Sequence, residues 1–300
     1  MTKRLLMLAM DQRPWLTQAL YGHTDEATVA QRAAICDGKH MILDGLLSEL
    51  ERGGTRLARE DAAILVDEQL GAGVAERARA HGVAVSMPIE RGGKDVYETE
   101  PADLQAFLRH HEPELTKVLV RYNPEGDQDA NRMQRSRLTK DSLVARAQGS
   151  QFLFELLVPP TEAQLRDVGG DQERYAYELR PALTLAAMRE LVADVAVDVW
   201  KLEHLASPEH YRAATELAEQ HDAGRCILLG ANAPADIVES WLRDAAEGGF
   251  AGFAVGRSIW WDALRRYLGG GTPKDAAVAA IGERYGRFAQ SFLDGCTVSS

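Results

Sequence analysis

Asp198-Val199-Trp200-Lys201-Leu202-Glu203 reads as a short buried strand with a cation at its centre. Strand side chains alternate, so Val199, Lys201 and Glu203 share one face, and Trp200 and Leu202 share the other. Lysine is rarely buried unless it is paired or functional. Burial disfavours the ammonium form, and a neutral amine is a nucleophile toward carbonyl carbon. Two readings follow: a Schiff-base lysine, or a structural ion pair of Lys201 with Glu203 or Asp198 at a strand end.

Short apolar runs of the same kind recur on both sides of this stretch. They cover residues 5–10, 62–66, 83–89, 117–123, 152–158, 226–230 and 250–255, and 198–203 is the sixth of eight in chain order. Helical patterns fill the gaps. Over 28–51 the apolar positions Ile35, Ile42, Leu43, Leu46, Leu47 and Leu50 keep helical spacing, and Gly53-Gly54 stops the helix. Further helices are predicted near 73–81, 101–111, 129–148, 172–195 and 208–220, then one reaching about 247 and one final helix ending near 293. Eight strands alternating with helices in one chain of this length predict a single α/β domain over residues 1–300, a TIM (β/α)8 barrel. A doubly wound sheet is the alternative, but the first strand is not followed by GxGxxG.

Composition narrows the function classes. The chain is 45% hydrophobic and 26% charged, with a formal net charge of −11. That balance suits a globular enzyme and argues against a general nucleic-acid surface, while a phosphorylated small molecule needs only a local positive pocket. Cys36, Cys226 and Cys296 are far apart and form no CxxC, as expected for a cytoplasmic protein. The apolar stretch after Met1-Thr2-Lys3-Arg4 is only about six residues, too short for a signal-peptide core or a membrane span. Tyr285, Phe288 and Phe292 on the last helix are expected to pack on the barrel itself or on a partner subunit of a homo-oligomer.

In a barrel the active site forms at the C-terminal ends of the strands. Those ends carry Asp11, Gln12 and Arg13; Asp67 and Glu68; Glu90, Arg91 and Lys94; Arg121 and Asn123; Glu203; Asn232; and Arg257. Glu155 lies inside an apolar strand, where an adjacent ammonium would let it exchange protons as a general acid and base; a buried ion pair is the alternative. Lys117 is either a basic neighbour of Lys201 or a solvated strand start. Asp11 and Arg13 belong to the barrel mouth, or else to a helix cap and the surface. Gly230 and Asn232 after strand seven, and Gly256, Arg257 and Ser258 after strand eight, suit a phosphate held by backbone N–H groups and a guanidinium. No HxH, HExxH, nucleophile elbow or phosphate-binding P-loop is present. No metal or cofactor is expected, although Asp11, Glu68, Glu155 and Glu203 offer oxygen ligands for a Mg²⁺-dependent lyase. A non-catalytic sugar-phosphate sensor is a further alternative.

The stretches Met7-Leu8-Ala9-Met10-Asp11-Gln12-Arg13, Lys117-Val118-Leu119-Val120-Arg121-Tyr122-Asn123-Pro124, Phe154-Glu155-Leu156-Leu157, Asp198-Val199-Trp200-Lys201-Leu202-Glu203 and Gly256-Arg257 resemble, in order, the class I ketose-phosphate aldolases related to tagatose 1,6-bisphosphate aldolase. Within that group the chain most resembles the 2-deoxy-5-keto-gluconate 6-phosphate aldolase domain of inositol catabolism. That domain often follows a sugar kinase; no kinase accompanies it in this sequence. The resemblance implies Lys201 as the Schiff-base lysine, Glu155 as the proton shuttle and Lys117 as a second active-site lysine. It also implies Asp11 and Arg13 in the pocket and phosphate at Gly256-Arg257. Sulfofructose-phosphate aldolases share the general pattern. The expected substrate also carries a carboxylate, for which Arg13, Arg121 and Lys94 are the candidate cations.

Overall fold

The computed structural model describes residues 4–23, 25–53, 56–221 and 224–296. Met1, Thr2, Lys3 and the helix-stopping Gly54 lie outside them. In chain order the elements begin β1 (Leu5–Ala9), α1 (Pro14–Tyr21), α2 (Val29–Arg52), β2 (Ala62–Leu65), α3 (Val74–Ala80), β3 (Ala84–Pro88), α4 (Leu104–His111) and β4 (Leu115–Arg121). They continue with α5 (Gln128–Ala147), β5 (Gln151–Leu157), α6 (Glu162–Asp167), α7 (Gln172–Arg174), α8 (Arg180–Val192), β6 (Val199–Leu202), α9 (Pro208–Gln220) and β7 (Arg225–Leu229). The last elements are α10 (Ala235–Glu247), β8 (Gly252–Val255), α11 (Arg257–Leu268) and α12 (Lys274–Gly295). The strands follow the order β1 to β8 in a closed parallel barrel, the (β/α)8 fold that the alternating pattern predicts.

Two compact units make up the chain. Residues 1–88, 230–243 and 252–300 form the first, in which β1 pairs with both β2 and β8. Here α12 buries Tyr285, Phe288 and Phe292; the Tyr285 hydroxyl donates to the Leu6 carbonyl at 2.8 Å, and Phe292 meets Phe253. Those aromatics are therefore spent within the chain. Lys39 on α2 and Asp67 after β2 form a fully buried ion pair, and Asp67 also accepts the Leu70 N–H at 2.7 Å. Asp67, one of the polar strand ends, thus fixes a loop.

Residues 89–229 and 244–251 form the second unit, in which β4, β5, β6 and β7 pair in sequence. In β6 all four residues are buried. Its Trp200 sits level with Phe154 of β5, ring centroids 5.1 Å apart, and strand alternation puts Glu155 and Lys201, also level, on the opposite face.

Three expectations need correction. The helix predicted near 172–195 is interrupted: α7 is a single turn, Tyr175–Leu179 is a π-helical turn, and α8 starts afresh at Arg180-Pro181. Proline lacks an N–H and clashes with the preceding turn, so it suits a helix start and breaks an interior. The single final helix is two, α11 and α12, separated by Gly269-Gly270-Gly271. Lys117 does not open its strand: β4 starts at Leu115, and Lys117 is 1% exposed. The short helices α1 and α6 carry readable signals, Pro14 in the first turn and a Thr161–Gln164 capping box. Among the described residues, no helix is long and apolar enough to cross a membrane.

Candidate active site

Lys201 stands in the middle of β6, held level with Glu155 by the parallel register of β5 and β6. Its Nζ lies 2.9 Å from Glu155 Oε2. Lys117 of β4 approaches the same oxygen from the other side, with Nζ 3.0 Å away. Lys117 Nζ also donates to Glu90 Oε1 at 2.7 Å. Glu90 follows β3 and is positioned by a short bridge to Thr99. All four side chains are buried, so the order Glu90, Lys117, Glu155, Lys201 is an alternating row of acids and bases shielded from solvent. Charges in such surroundings interact far more strongly than at a surface. A proton moving along this row passes between atoms already at hydrogen-bond distance.

Glu203 shares the parity of Lys201 but has a different partner. Its Oε1 takes an Arg180 Nη1 hydrogen bond at 2.9 Å, and its Oε2 accepts the Val158 N–H at 3.1 Å. Burial pushes the Glu203 carboxyl above the usual carboxylate range, while Arg180 and the Val158 N–H pull it back. Arg180 reaches on to the His204 carbonyl at 3.1 Å. The His204 ring is buried against Tyr177 and Tyr211, with Nδ1 2.9 Å from the Tyr211 hydroxyl. Burial, then the nearby Arg180 charge, lower the His204 pKa to about 4, so the ring is neutral at physiological pH. The alternative of a Lys201–Glu203 or Lys201–Asp198 pair does not occur: Asp198 bonds Arg146 and the Phe152 N–H.

Arg121 ends β4 with Nη1 donating to the Lys94 carbonyl at 3.0 Å, which anchors its guanidinium on the loop that carries Lys94. Arg91 pairs with Glu98 and Glu100. Asn123 is spent on loop structure, bonding the Pro159 carbonyl and Gln164.

The first unit holds the remaining predicted residues. Asp11, Gln12 and Arg13 follow β1; Arg13 is buried and its carbonyl accepts the Thr17 N–H in the first turn of α1. Gly256 opens α11, and a Cβ there would lie 2.2 Å from the Ala9 carbonyl oxygen, so only glycine allows β8 to turn so close to β1. Gly230 serves β8 similarly, because a Cβ would meet Val255 at 2.9 Å. The first turn of α11 is tethered from several directions. Trp260 Nε1 donates to the Ala9 carbonyl, Ser258 Oγ to the Ala233 carbonyl, and Arg284 to the Ser258 carbonyl. The Arg257 guanidinium lies over the Trp15 ring, 4.5 Å from its centroid. Beside it, a cleft of about 520 Å³ is lined by Asn232, Arg257, Ser258, Arg266 and Arg284 among others. A fixed helix start beside several guanidinium groups suits an anion.

Among the described residues, no group of three or more His, Cys, Asp or Glu side chains is arranged to hold a metal ion. Two of the carboxylates considered for Mg²⁺ already have cationic partners: Glu155 faces two ammonium groups and Glu203 an arginine. Sequence reasoning missed the roles of Glu90 and Arg180. Glu90 stood among the polar strand ends without an assigned partner. Arg180 was hidden in an unbroken helical pattern, and Pro181 was the readable sign of the break.

The family model described as "Uncharacterized protein conserved in bacteria (DUF2090)" matches residues 1–294. The chain belongs to this family. This DUF2090 member is 25% identical over 283 residues to tagatose 1,6-diphosphate aldolase 2 of Streptococcus pyogenes serotype M1, covering 87% of this chain and 81% of that protein. Its fold matches a fructose-bisphosphate aldolase from Slackia heliotrinireducens DSM 20476 with a TM-score of 0.59 and 14% identity, over 94% of this chain and 86% of that one. It also matches an archaeal fructose-1,6-bisphosphate aldolase whose catalytic lysine was captured covalently bound to a carbinolamine intermediate, with a TM-score of 0.58 and 12% identity, over 95% and 94% of the two chains. The DUF2090 chain and these structures share the (β/α)8 barrel.

Proposed function

We propose that this protein is a class I, Schiff-base aldolase, an aldehyde-lyase whose nucleophile is Lys201. The observation that carries the proposal is the shared oxygen of Glu155, 2.9 Å from Lys201 Nζ and 3.0 Å from Lys117 Nζ, in a buried setting. The similarity to tagatose-bisphosphate aldolases supports the same chemistry. Lys201 passes a proton to Glu155, and its amine lone pair attacks a ketone carbon while the carbonyl oxygen takes up a proton. Glu155 then returns a proton to the carbinolamine hydroxyl, which leaves as water and gives an iminium. A hydroxyl two carbons away from the iminium carbon loses its proton to a base, for which Asp11 is the proposed residue. The adjoining carbon–carbon bond breaks, its electron pair enters the iminium, and an aldehyde departs. The enamine left on Lys201 is protonated on carbon, and water hydrolyses the resulting iminium.

The substrate proposed is 2-deoxy-5-keto-D-gluconate 6-phosphate, cleaved to dihydroxyacetone phosphate and malonate semialdehyde. The resemblance of the Asp198–Glu203 and Val120–Pro124 stretches to that branch supports it, and Arg121, anchored on the Lys94 carbonyl, is the proposed cation for the carboxylate. The tethered start of α11 with Arg257, together with Gly230 and Gly256, is the proposed phosphate site. Tagatose 1,6-bisphosphate is the second reading, favoured by the streptococcal relatives. Borohydride reduction with dihydroxyacetone phosphate, followed by peptide mass mapping, tests the chemistry: the expected adduct is on Lys201, and its absence refutes the reading. Product analysis separates the substrates, because only the keto-acid gives malonate semialdehyde and only the bisphosphate gives a phosphorylated triose aldehyde.

A further inference from the structure

The two lysines of the row are nearly equivalent in their relation to Glu155. Both are buried, both come from neighbouring strands, and their Nζ atoms differ by 0.1 Å in distance to one oxygen (3.0 against 2.9 Å). Attack on a carbonyl carbon needs one of them as a neutral amine. Nothing in that symmetric trio makes the choice. Glu90 does: its Oε1 lies 2.7 Å from Lys117 Nζ, so Lys117 faces two carboxylates. Among the described residues, Lys201 has one carboxylate in ion-pair range, Glu155. We infer that Glu90 is a positioning residue that assigns the roles of the two lysines, holding Lys117 as the ammonium and leaving Lys201 as the amine that attacks. The inference rests on the Schiff-base reading of this site and deepens it.

The electrostatic reason is direct. The row carries two acids and two bases, and among the described residues the carboxylate in ion-pair range of Lys201 is Glu155, so neutralising Lys201 moves its proton there. That acceptor remains steadied by Lys117, whose own charge is secured from behind by Glu90. Without the Glu90 charge, Lys117 and Lys201 stand in nearly equal relation to Glu155, and Lys117 loses the advantage that Glu90 gives it as the permanent cation. The next charged pair, Glu203 and Arg180, lies beyond the row: Arg180 Nη1 holds Glu203 Oε1 at 2.9 Å, and Glu203 also feels the Glu155 charge. The step involved is proton transfer alone; the later borohydride step adds hydride to the iminium carbon and leaves a secondary amine on whichever lysine reacted.

The test is the site of the adduct. The intact protein and the Glu90→Gln, Glu90→Asp and Lys201→Ala/Glu90→Gln variants are reduced with borohydride in the presence of dihydroxyacetone phosphate, and adducts on Lys201 and Lys117 are quantified. The intact protein is expected to label Lys201; if it labels neither lysine, the Schiff-base reading itself has failed, independently of Glu90. Given that label, Glu90→Gln should move the Lys117-to-Lys201 ratio upward by about 10- to 1,000-fold, the range one lost close charge produces. Glu90→Asp should restore labelling of Lys201, and the double variant should label Lys117. A folded Glu90→Gln protein that labels only Lys201, or neither lysine, overturns the inference, because a merely structural role would leave the adduct where it was or lose it. A measurement on the unsubstituted protein covers a variant that does not fold: trace acetylation at neutral pH should modify Lys201 ahead of Lys117, and equal or reversed modification overturns the inference.

Discussion

Lys117 and Lys201 reach the same oxygen of Glu155, at 3.0 and 2.9 Å, from the strands on either side of it. The arrangement depends on register. β5 is the middle strand of three, and its alignment with β6 sets Glu155 beside Lys201. A one-residue slip would send Glu155 to the other face, where Phe154 meets Trp200.

Replacing the nucleophile separates chemistry from folding. Lys201→Ala leaves Glu155 paired with Lys117, so the protein should fold. Turnover should fall by at least about 10⁴-fold, as when other covalent nucleophiles are removed. Steady-state assay together with the borohydride adduct measures this; retention of both adduct and turnover would remove Lys201 from the mechanism.

Glu155 has a structural and a chemical role, and two substitutions distinguish them. Glu155→Leu leaves two buried lysines without their shared acid, which should cost about 3–5 kcal/mol in urea unfolding. Glu155→Gln keeps the shape and should lower kcat by about 10²- to 10⁴-fold, the range for a lost general acid and base. A Gln variant with undiminished kcat would show that proton transfer takes another route.

His204 makes stability depend on pH in a defined direction. Its folded pKa, about 4, is below the ordinary 6.5, because burial and then Arg180 oppose the charged ring. A group depressed in the folded state contributes stability above its unfolded pKa and loses it as pH falls. The contribution should therefore be complete above 6.5 and disappear between 6.5 and about 4. Its full size is on the order of 3 kcal/mol. Glu203 acts oppositely, since a carboxyl raised by burial favours the folded state at low pH and loses that contribution as pH rises. Urea midpoints of the intact protein and His204→Gln, compared across that window, isolate the histidine: the intact protein should lose stability relative to the variant as pH falls. Parallel profiles would contradict the assignment.

Arg257 is expected to act on phosphate and not on the lysine. Arg257→Gln should raise KM for a phosphorylated keto-sugar by about 10- to 100-fold, the size of one lost charge-assisted hydrogen bond. It should leave reductive trapping of unphosphorylated dihydroxyacetone on Lys201 unchanged. Equal losses with both ligands would place Arg257 outside phosphate recognition.

Gly256→Ala tests the close approach of β8 to β1. The added Cβ would lie 2.2 Å from the Ala9 oxygen, a backbone atom that cannot swing aside. The variant should lose about 1–3 kcal/mol and show a lower Tm in thermal unfolding. An unchanged Tm would mean that the turn is not as tight as described.

The sequence by itself determined the order of the eight strands and of most helices between them, though not the short α1 and α6, because period-two and helical patterns are local properties of the chain. Eight alternating segments also brought the (β/α)8 barrel into view before any contact was known. It singled out Lys201 and Glu155 as well, since a charged residue inside an apolar strand is conspicuous in one dimension, whereas Lys117 reads as the start of its strand. The interruption at Arg180-Pro181 and the division between α11 and α12 were written in proline and glycine but outweighed by the apolar periodicity around them. Partnership was another matter. Glu203 was as plausible a companion for Lys201 as Glu155, being two residues away on the same face, until Arg180 and the Val158 N–H were found holding it. Glu90 was one acid among many strand-end charges until its side chain met Lys117, 27 residues later. Only the tertiary structure decided these pairs, because strand register and the paths of loops, not separation along the chain, set which charges come within hydrogen-bond distance.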